Sequence, residues 1–175
     1  GPAGGVVGAA AVMRALAVDH ALTIDIGGTS ADAGLILDAE PLVEAGGEVA
    51  GAVIALPRVL VETVSAGGGS IAWCDDGGAL RVGPRSAGAR PGPVAFGRGG
   101  VEPTVTDAQV VLGRIAARAM SGGVALDVAA ATAALEGLAV RLKSDVPHTA
   151  AAIIAIADAE MARALRRVSV ERGVD

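Results

Sequence analysis

Asp25-Ile26-Gly27-Gly28-Thr29-Ser30-Ala31-Asp32 joins the apolar run Ala21-Leu22-Thr23-Ile24 to a second one, Ala33-Gly34-Leu35-Ile36-Leu37. Two short apolar runs about a Gly-Gly pair read as strand, tight turn, strand. Glycine lets the backbone take positive φ and bring its N–H groups close to a bound anion, and Thr29 and Ser30 add hydroxyl donors. Asp25 and Asp32 bracket the turn. A bare phosphate would repel both, so Mg²⁺ or an attacking water is the natural third party. Taken alone, the stretch fits a phosphate cradle and an ordinary polar hairpin turn equally well.

The 175 residues suit one domain, or one large piece of one. Just over half are apolar, yet there is one Trp (Trp73), one Phe (Phe96) and no Tyr. The core must be built from small aliphatic side chains, which favours close packing of helices and sheet. The 26 glycines cluster into loops without a period, which excludes collagen-like and low-complexity readings. A net charge of −5, with Lys143 the sole lysine, argues against a nucleic-acid surface, because counterion release needs clustered cations. No charge-free apolar run of about 18 residues points to a membrane span. The lone Cys74 excludes an internal disulfide framework and fits a reducing cytoplasm; no motif brings His20 or His148 to it, so it reads as a core or surface thiol. The opening Gly1-Pro2-Ala3-Gly4-Gly5 lacks a Met and no signal peptide is visible, as expected of a piece cut from a longer protein.

Along the chain, 4–18 reads as a helix whose small residues Gly4, Gly8, Ala11 and Ala15 form a stripe suited to close approach, for core packing or for a helix crossing that could hinge. Pro2 suits its N-terminus. The Val-, Ile- and Leu-rich segment 48–64 is interrupted by Pro57 and reads as an edge or bent strand. Ala66-Gly67-Gly68-Gly69-Ser70 is a second candidate anion loop or a flexible linker. Asp76-Gly77-Gly78 sits between Trp73-Cys74-Asp75 and Leu80-Arg81-Val82, a second hairpin.

From Gly83 to Pro103 the density of Gly and Pro predicts an irregular loop of roughly twenty residues, a length that is usually functional or disordered. Arg81, Arg85, Arg90 and Arg98 could meet an anion there or merely solvate the loop. A short helix is expected over 106–112 with Thr104 or Thr106 as cap, and Asp127 should cap another through about Leu142 with Ala131, Leu135, Leu138 and Leu142 on one face. The last helix is expected over 149–172, burying Ile153, Ile156, Ala157, Met161, Ala164, Leu165 and Val168, with Gly173 closing it.

Six stretches in order resemble the hydantoinase A / 5-oxoprolinase family. They are Gly1-Pro2-Ala3-Gly4-Gly5-Val6, the 25–32 stretch, Ala66-Gly67-Gly68-Gly69-Ser70-Ile71-Ala72, Ser86-Ala87-Gly88-Ala89-Arg90-Pro91-Gly92-Pro93, Glu102-Pro103-Thr104-Val105-Thr106-Asp107 and Val168-Ser169-Val170-Glu171-Arg172-Gly173. One such motif is weak; six in order and spacing along essentially the whole chain are specific.

The resemblance implies an α/β fold of the actin-like ATPase class, an RNase-H-like mixed sheet with β-hairpins and flanking helices. It also implies that the chain is a middle portion, without the family's N-terminal phosphate loop and without the Gly-rich adenosine-binding stretch expected beyond Asp175. Relatives of this type open cyclic amides such as hydantoins or 5-oxoproline with ATP and Mg²⁺, and others carboxylate ketones. By this resemblance Asp25 is the catalytic carboxylate and a Mg²⁺ ligand or water-orienting group, and Asp32 is a second metal candidate. Gly27, Gly28, Thr29 and Ser30 bind the β- or γ-phosphate, and Gly67, Gly68, Gly69 and the 86–93 loop line the cleft or a subunit contact. A hydantoinase B-type partner subunit or domain, an oligomer and a cytoplasmic location go with it.

The family often has a second Thr where Ala31 stands, a His near Glu62, a Gly at Ser65 and a Tyr at Phe96. A missing His would bear on substrate chemistry while leaving phosphate binding intact. The competing readings are a sugar-kinase-like phosphotransferase and a non-catalytic structural or regulatory subunit of the same fold.

Overall fold

The structure is a computed structural model that describes residues 1–49, 51–117 and 125–174. Helix α1 (Pro2–Leu16) is followed by strands β1 (Ala21–Ile26), β2 (Ala31–Leu37), β3 (Glu40–Pro41), β4 (Val43–Glu44), β5 (Gly47–Val49) and β6 (Ala52–Ile54). Then come β7 (Arg58–Val59), β8 (Val61–Val64), β9 (Ser70–Cys74), β10 (Leu80–Ser86) and helices α2 (Val105–Val111), α3 (Val128–Leu142) and α4 (Val146–Val168). The chain forms two compact units, one from 1–25, 31–64 and Met161 onward, the other from Ile26–Ser30 and Ser65–Glu160.

In the first unit β2 is the centre of a four-stranded sheet, with β1 on one edge and both β3 and β8 on the other. The expected hairpin strands are therefore present. The antiparallel register runs Ala31↔Val64 to Gly34↔Val61 against β8, and Ile36↔Pro41 against β3. Helix α1 covers the sheet through Val6, Ala10 and Met13, which cluster with Ile36. The predicted small-residue stripe does not make this contact: Gly4, Gly8, Ala11 and Ala15 are exposed, and a Cβ at Gly4 or Gly8 would meet nothing. Both faces of α1 are apolar, so burial of larger side chains against Ile36 decides the orientation.

Pro57 does break the 48–64 segment, within which Ala50 lies outside the described residues. Strands β5 and β6 form a hairpin before the proline; after it β7 pairs with β4 and β8 returns to β2.

The second unit packs the β9–β10 hairpin against helices. Ala72, Cys74, Val105, Ala108, Leu135, Leu138, Ile153, Ile154 and Ala157 share one core, and Cys74 is a free buried thiol in it. The hairpin register Leu80↔Cys74 to Val82↔Ala72 matches the expected turn, and Asp75 organises it by accepting from the amides of Gly77 and Ala79. β10 continues to Ser86 past an irregularity after Val82, so the breaker-rich stretch starts four residues later than its composition suggests. A single 3₁₀ turn, Val94–Phe96, lies within it.

Asp127 caps α3 by accepting from Ala130, as its position predicts. Asp145 accepts from the amide of His148, so α4 begins at Val146, before the expected Thr149. α4 ends at Val168, followed by a 3₁₀ turn closed by Gly173 at φ 79. Among the described residues no helix is long and apolar enough to cross a membrane.

Candidate functional site

The second unit contains the 27–30 turn. The amide of Gly27 donates to the carbonyl of Ser30 at 2.8 Å and closes it. Neither Gly27 nor Gly28 takes positive φ, and a Cβ would find room at both; the close approach is made by the facing loop. The triple-glycine loop lies directly against the turn, with Gly68 donating to Gly27 O at 2.9 Å and Gly69 to Gly28 O at 2.6 Å. A Cβ at Gly67 would come within 2.7 Å of Gly27 O and Ser30 N, and one at Gly69 within 2.8 Å of Gly28 O. No side chain fits at either place.

The amide of Gly67 is also taken, by Ser70 Oγ at 2.9 Å. All three amides of Gly67, Gly68 and Gly69 are thus engaged inside the protein, where the sequence suggested donors to a ligand; their part is to hold the turn. The loop's carbonyls extend the frame, Gly68 O accepting from Thr106 and Gly69 O from Ala87, each at 2.8 Å. In the turn itself the amides of Gly28, Thr29 and Ser30 have no acceptor among the described residues, and neither do the Thr29 and Ser30 hydroxyls. Gly28 and Thr29 are exposed and Ser30 half-buried. Consecutive unpaired amides on a fixed turn are what an anion requires.

The carboxylates belong to the first unit. Asp25 is exposed and has no partner among the described residues. Asp32 accepts the Thr63 hydroxyl at 2.5 Å. Both line a cavity of about 410 Å³ floored by Thr23, Ile24 and Val61 and walled by Pro2, Gly5, Val6 and Ala9 of α1. Gly34 is required beneath it, since a Cβ there would lie 2.7 Å from both Thr23 Oγ1 and a Val6 methyl. No group of three or more His, Cys, Asp or Glu able to hold a metal occurs among the described residues. Two carboxylates with no cation beside them suit Mg²⁺, which keeps most of its waters and takes one or two protein carboxylates plus phosphate oxygens.

Glu62 is not a free acid or base: on β8 it accepts from Arg167 Nη1 of α4 within the same unit. Ala31 is 1 % exposed opposite Val64, so its methyl is part of the core.

Thr104 caps α2, one of the two residues expected there; sequence reasoning missed two further supports in the second unit, the reach of the Asp107 carboxylate and an arginine fork. The buried carboxylate of Asp107 accepts from the amides of Val94, Ala95 and Thr104 and from the Thr104 hydroxyl. Thr104 Oγ1 accepts from the Asp107 amide in return, a capping box whose T-x-x-D spacing was readable. Arg85 forks onto both carboxylate oxygens of Glu102 at 2.8 and 3.1 Å, a pairing across 17 positions that no local pattern signals. This hydrogen-bonded pairing holds the Arg85 guanidinium pKa above its ordinary value.

The hydantoinase/oxoprolinase family model matches residues 1–175. The chain is 44% identical to caprolactamase subunit alpha of Pseudomonas jessenii over 177 residues, which is 100% of this chain and 25% of that one. The crystal structure of the ATP-dependent caprolactamase from that organism superposes with a TM-score of 0.85 at 42% identity, over 97% of this chain and 25% of its own. A nucleotide-free acetone carboxylase superposes with a TM-score of 0.89 at 33% identity, over 99% and 25%. 5-Oxoprolinase 1 of Arabidopsis thaliana is 36% identical over 99% of this chain and 15% of its own. The chain therefore spans a quarter or less of these relatives, and shares with the two structures a mixed α/β fold of the actin-like ATPase class.

Proposed function

Because the chain belongs to the hydantoinase/oxoprolinase family, we propose that it is the phosphate-binding portion of a cytoplasmic enzyme that uses Mg-ATP to hydrolyse a cyclic amide. The observation that carries this reading is the 27–30 turn, whose unpaired amides and hydroxyls are held in place by the backbone of 67–69.

An amide is a poor electrophile, and phosphoryl transfer from ATP with Mg²⁺ to its oxygen would make its carbon open to attack by water, with the C–N bond then breaking and the phosphate released by hydrolysis. The residues of this chain provide positioning and charge. Gly28, Thr29 and Ser30 would donate to phosphate oxygens through amides that need no rearrangement, so their dipoles act at full strength as negative charge shifts. Gly27 keeps the turn closed, and Gly67, Gly68 and Gly69 keep it placed. Asp25 and Asp32 would hold the hydrated Mg²⁺, Asp32 oriented by Thr63 and Asp25 free to direct a water. The similar caprolactamase chain is by name a subunit, which supports a partner that completes the active enzyme.

A second reading, ATP-dependent ketone carboxylation, is favoured by the likeness to acetone carboxylase. ATP turnover of the intact natural protein, measured with caprolactam, hydantoin and 5-oxoproline and separately with ketones plus bicarbonate, separates the two. Asp25→Asn should lower turnover by about two orders of magnitude or more, since it removes charge where the metal is held. Near-normal turnover in that variant would sink the assignment of Asp25 as a metal ligand.

A further inference from the structure

Of the four arginines on and beside the 83–103 loop, two are neutralised. Arg81 Nε pairs with Asp75 at 2.8 Å, and Arg85 is forked onto Glu102. Arg90 and Arg98 have no carboxylate partner among the described residues, although the chain carries 19 acidic residues against 14 basic ones. Both line one cavity of about 540 Å³, and Arg90 also borders another of about 470 Å³, whose wall combines the apolar Ile71, Pro91 and Val101 with the mutually neutralised Arg85 and Glu102.

The frame that carries them is fixed. The Arg85–Glu102 fork ties the two ends of the loop. Gly92 donates to Ala87 O at 3.2 Å. Gly100 passes so close that a Cβ would lie 2.3 Å from Gly92 O, and Asp107 holds the amides of Val94 and Ala95. Arg98 stands over the Phe96 ring, its guanidinium carbon 5.8 Å from the centroid, which restrains the side chain and leaves its N–H groups available. Guanidinium groups present flat, paired donors matched to carboxylate and phosphate oxygens.

We infer that Arg90 and Arg98 form an oxyanion site, separate from the 27–30 turn, that takes the carboxylate or phosphate group of a small molecule. The inference does not depend on the reading of Asp25. A cation pair on a preorganised loop loses little entropy on binding, and the apolar wall beside Arg90 would receive the carbon skeleton of a carboxylate-bearing ligand.

Calorimetric titration of the intact natural protein with sodium phosphate, and separately with sodium acetate, at constant ionic strength, tests it. Binding should weaken at least about tenfold in the Arg90→Gln, Arg98→Gln double variant and stay unchanged in Arg81→Gln. Both side chains are exposed, and circular dichroism checks that the variants keep their fold. Binding at the 27–30 turn is common to all the proteins and cancels in the comparison. An acetate response lost in the double variant assigns a carboxylate ligand; a loss confined to phosphate assigns a phosphoryl group. Equal binding by wild type and double variant, or no binding of either anion up to about 20 mM, overturns the inference.

Discussion

Gly69 donates its amide to the carbonyl oxygen of Gly28 at 2.6 Å, and a Cβ at position 69 would fall 2.8 Å from that same oxygen. The hydrogen bond and the absence of a side chain are one requirement. Gly69→Ala should therefore destabilise the protein by about 1–3 kcal/mol through overpacking against backbone, seen as a lower urea midpoint at unchanged slope. Gly8→Ala, where a Cβ meets nothing, should be neutral or stabilising. Equal effects of the two would refute the close-approach argument.

Asp107→Asn tests the buried carboxylate. Asn offers one acceptor oxygen and an NH₂ where the native group receives four hydrogen bonds, so some donors are left facing a donor. The expected loss is about 2–4 kcal/mol, measured by chemical denaturation. A loss under about 0.5 kcal/mol would mean that the network contributes little.

Asp75 provides the pH test. Acceptance from the Ala79 amide, then from Arg81, holds its carboxyl below the ordinary value of 3.8. A depressed folded-state pKa means that its contribution is fully present above 3.8 and fades as pH falls through the lower folded value. The hairpin turn should loosen in that acidic window. In Asp75→Asn this step should vanish from the amide shifts of Gly77 and Ala79 followed by NMR; its persistence would assign the step to another group.

Thr149 is 1 % exposed and its hydroxyl has no partner among the described residues. Removing a buried, unpaired hydroxyl at constant shape relieves a desolvation penalty. Thr149→Val should raise stability by about 1 kcal/mol, read as a higher melting temperature. A drop would show that the hydroxyl has an unrecognised acceptor.

What was legible in the sequence was local. The Gly-Gly turn between two apolar runs, the Asp75 hairpin and the Asp127 cap each lie within a few residues of their cause, and each was found. What was hidden depends on partners distant in the chain. The apolar residues of α1 offered two faces, and the sheet residues Ile36, Val59 and Val61 determine that Val6, Ala10 and Met13 are the buried one. The triple glycine was readable as an anion loop because its amides are invisible in a sequence; the structure shows them committed to Gly27, Gly28 and Ser70. Glu62 and Arg167 stand 105 positions apart, beyond the reach of any periodicity.

The Asp107 carboxylate has a consequence in time as well as in space. Val94 and Ala95 lie in a stretch dense in proline and glycine, yet their amides end on a carboxylate that is itself fully buried. Hydrogen exchange at these two amides requires their bonds to a buried carboxylate in the first turn of α2 to break, so they should exchange more slowly than the composition around them suggests.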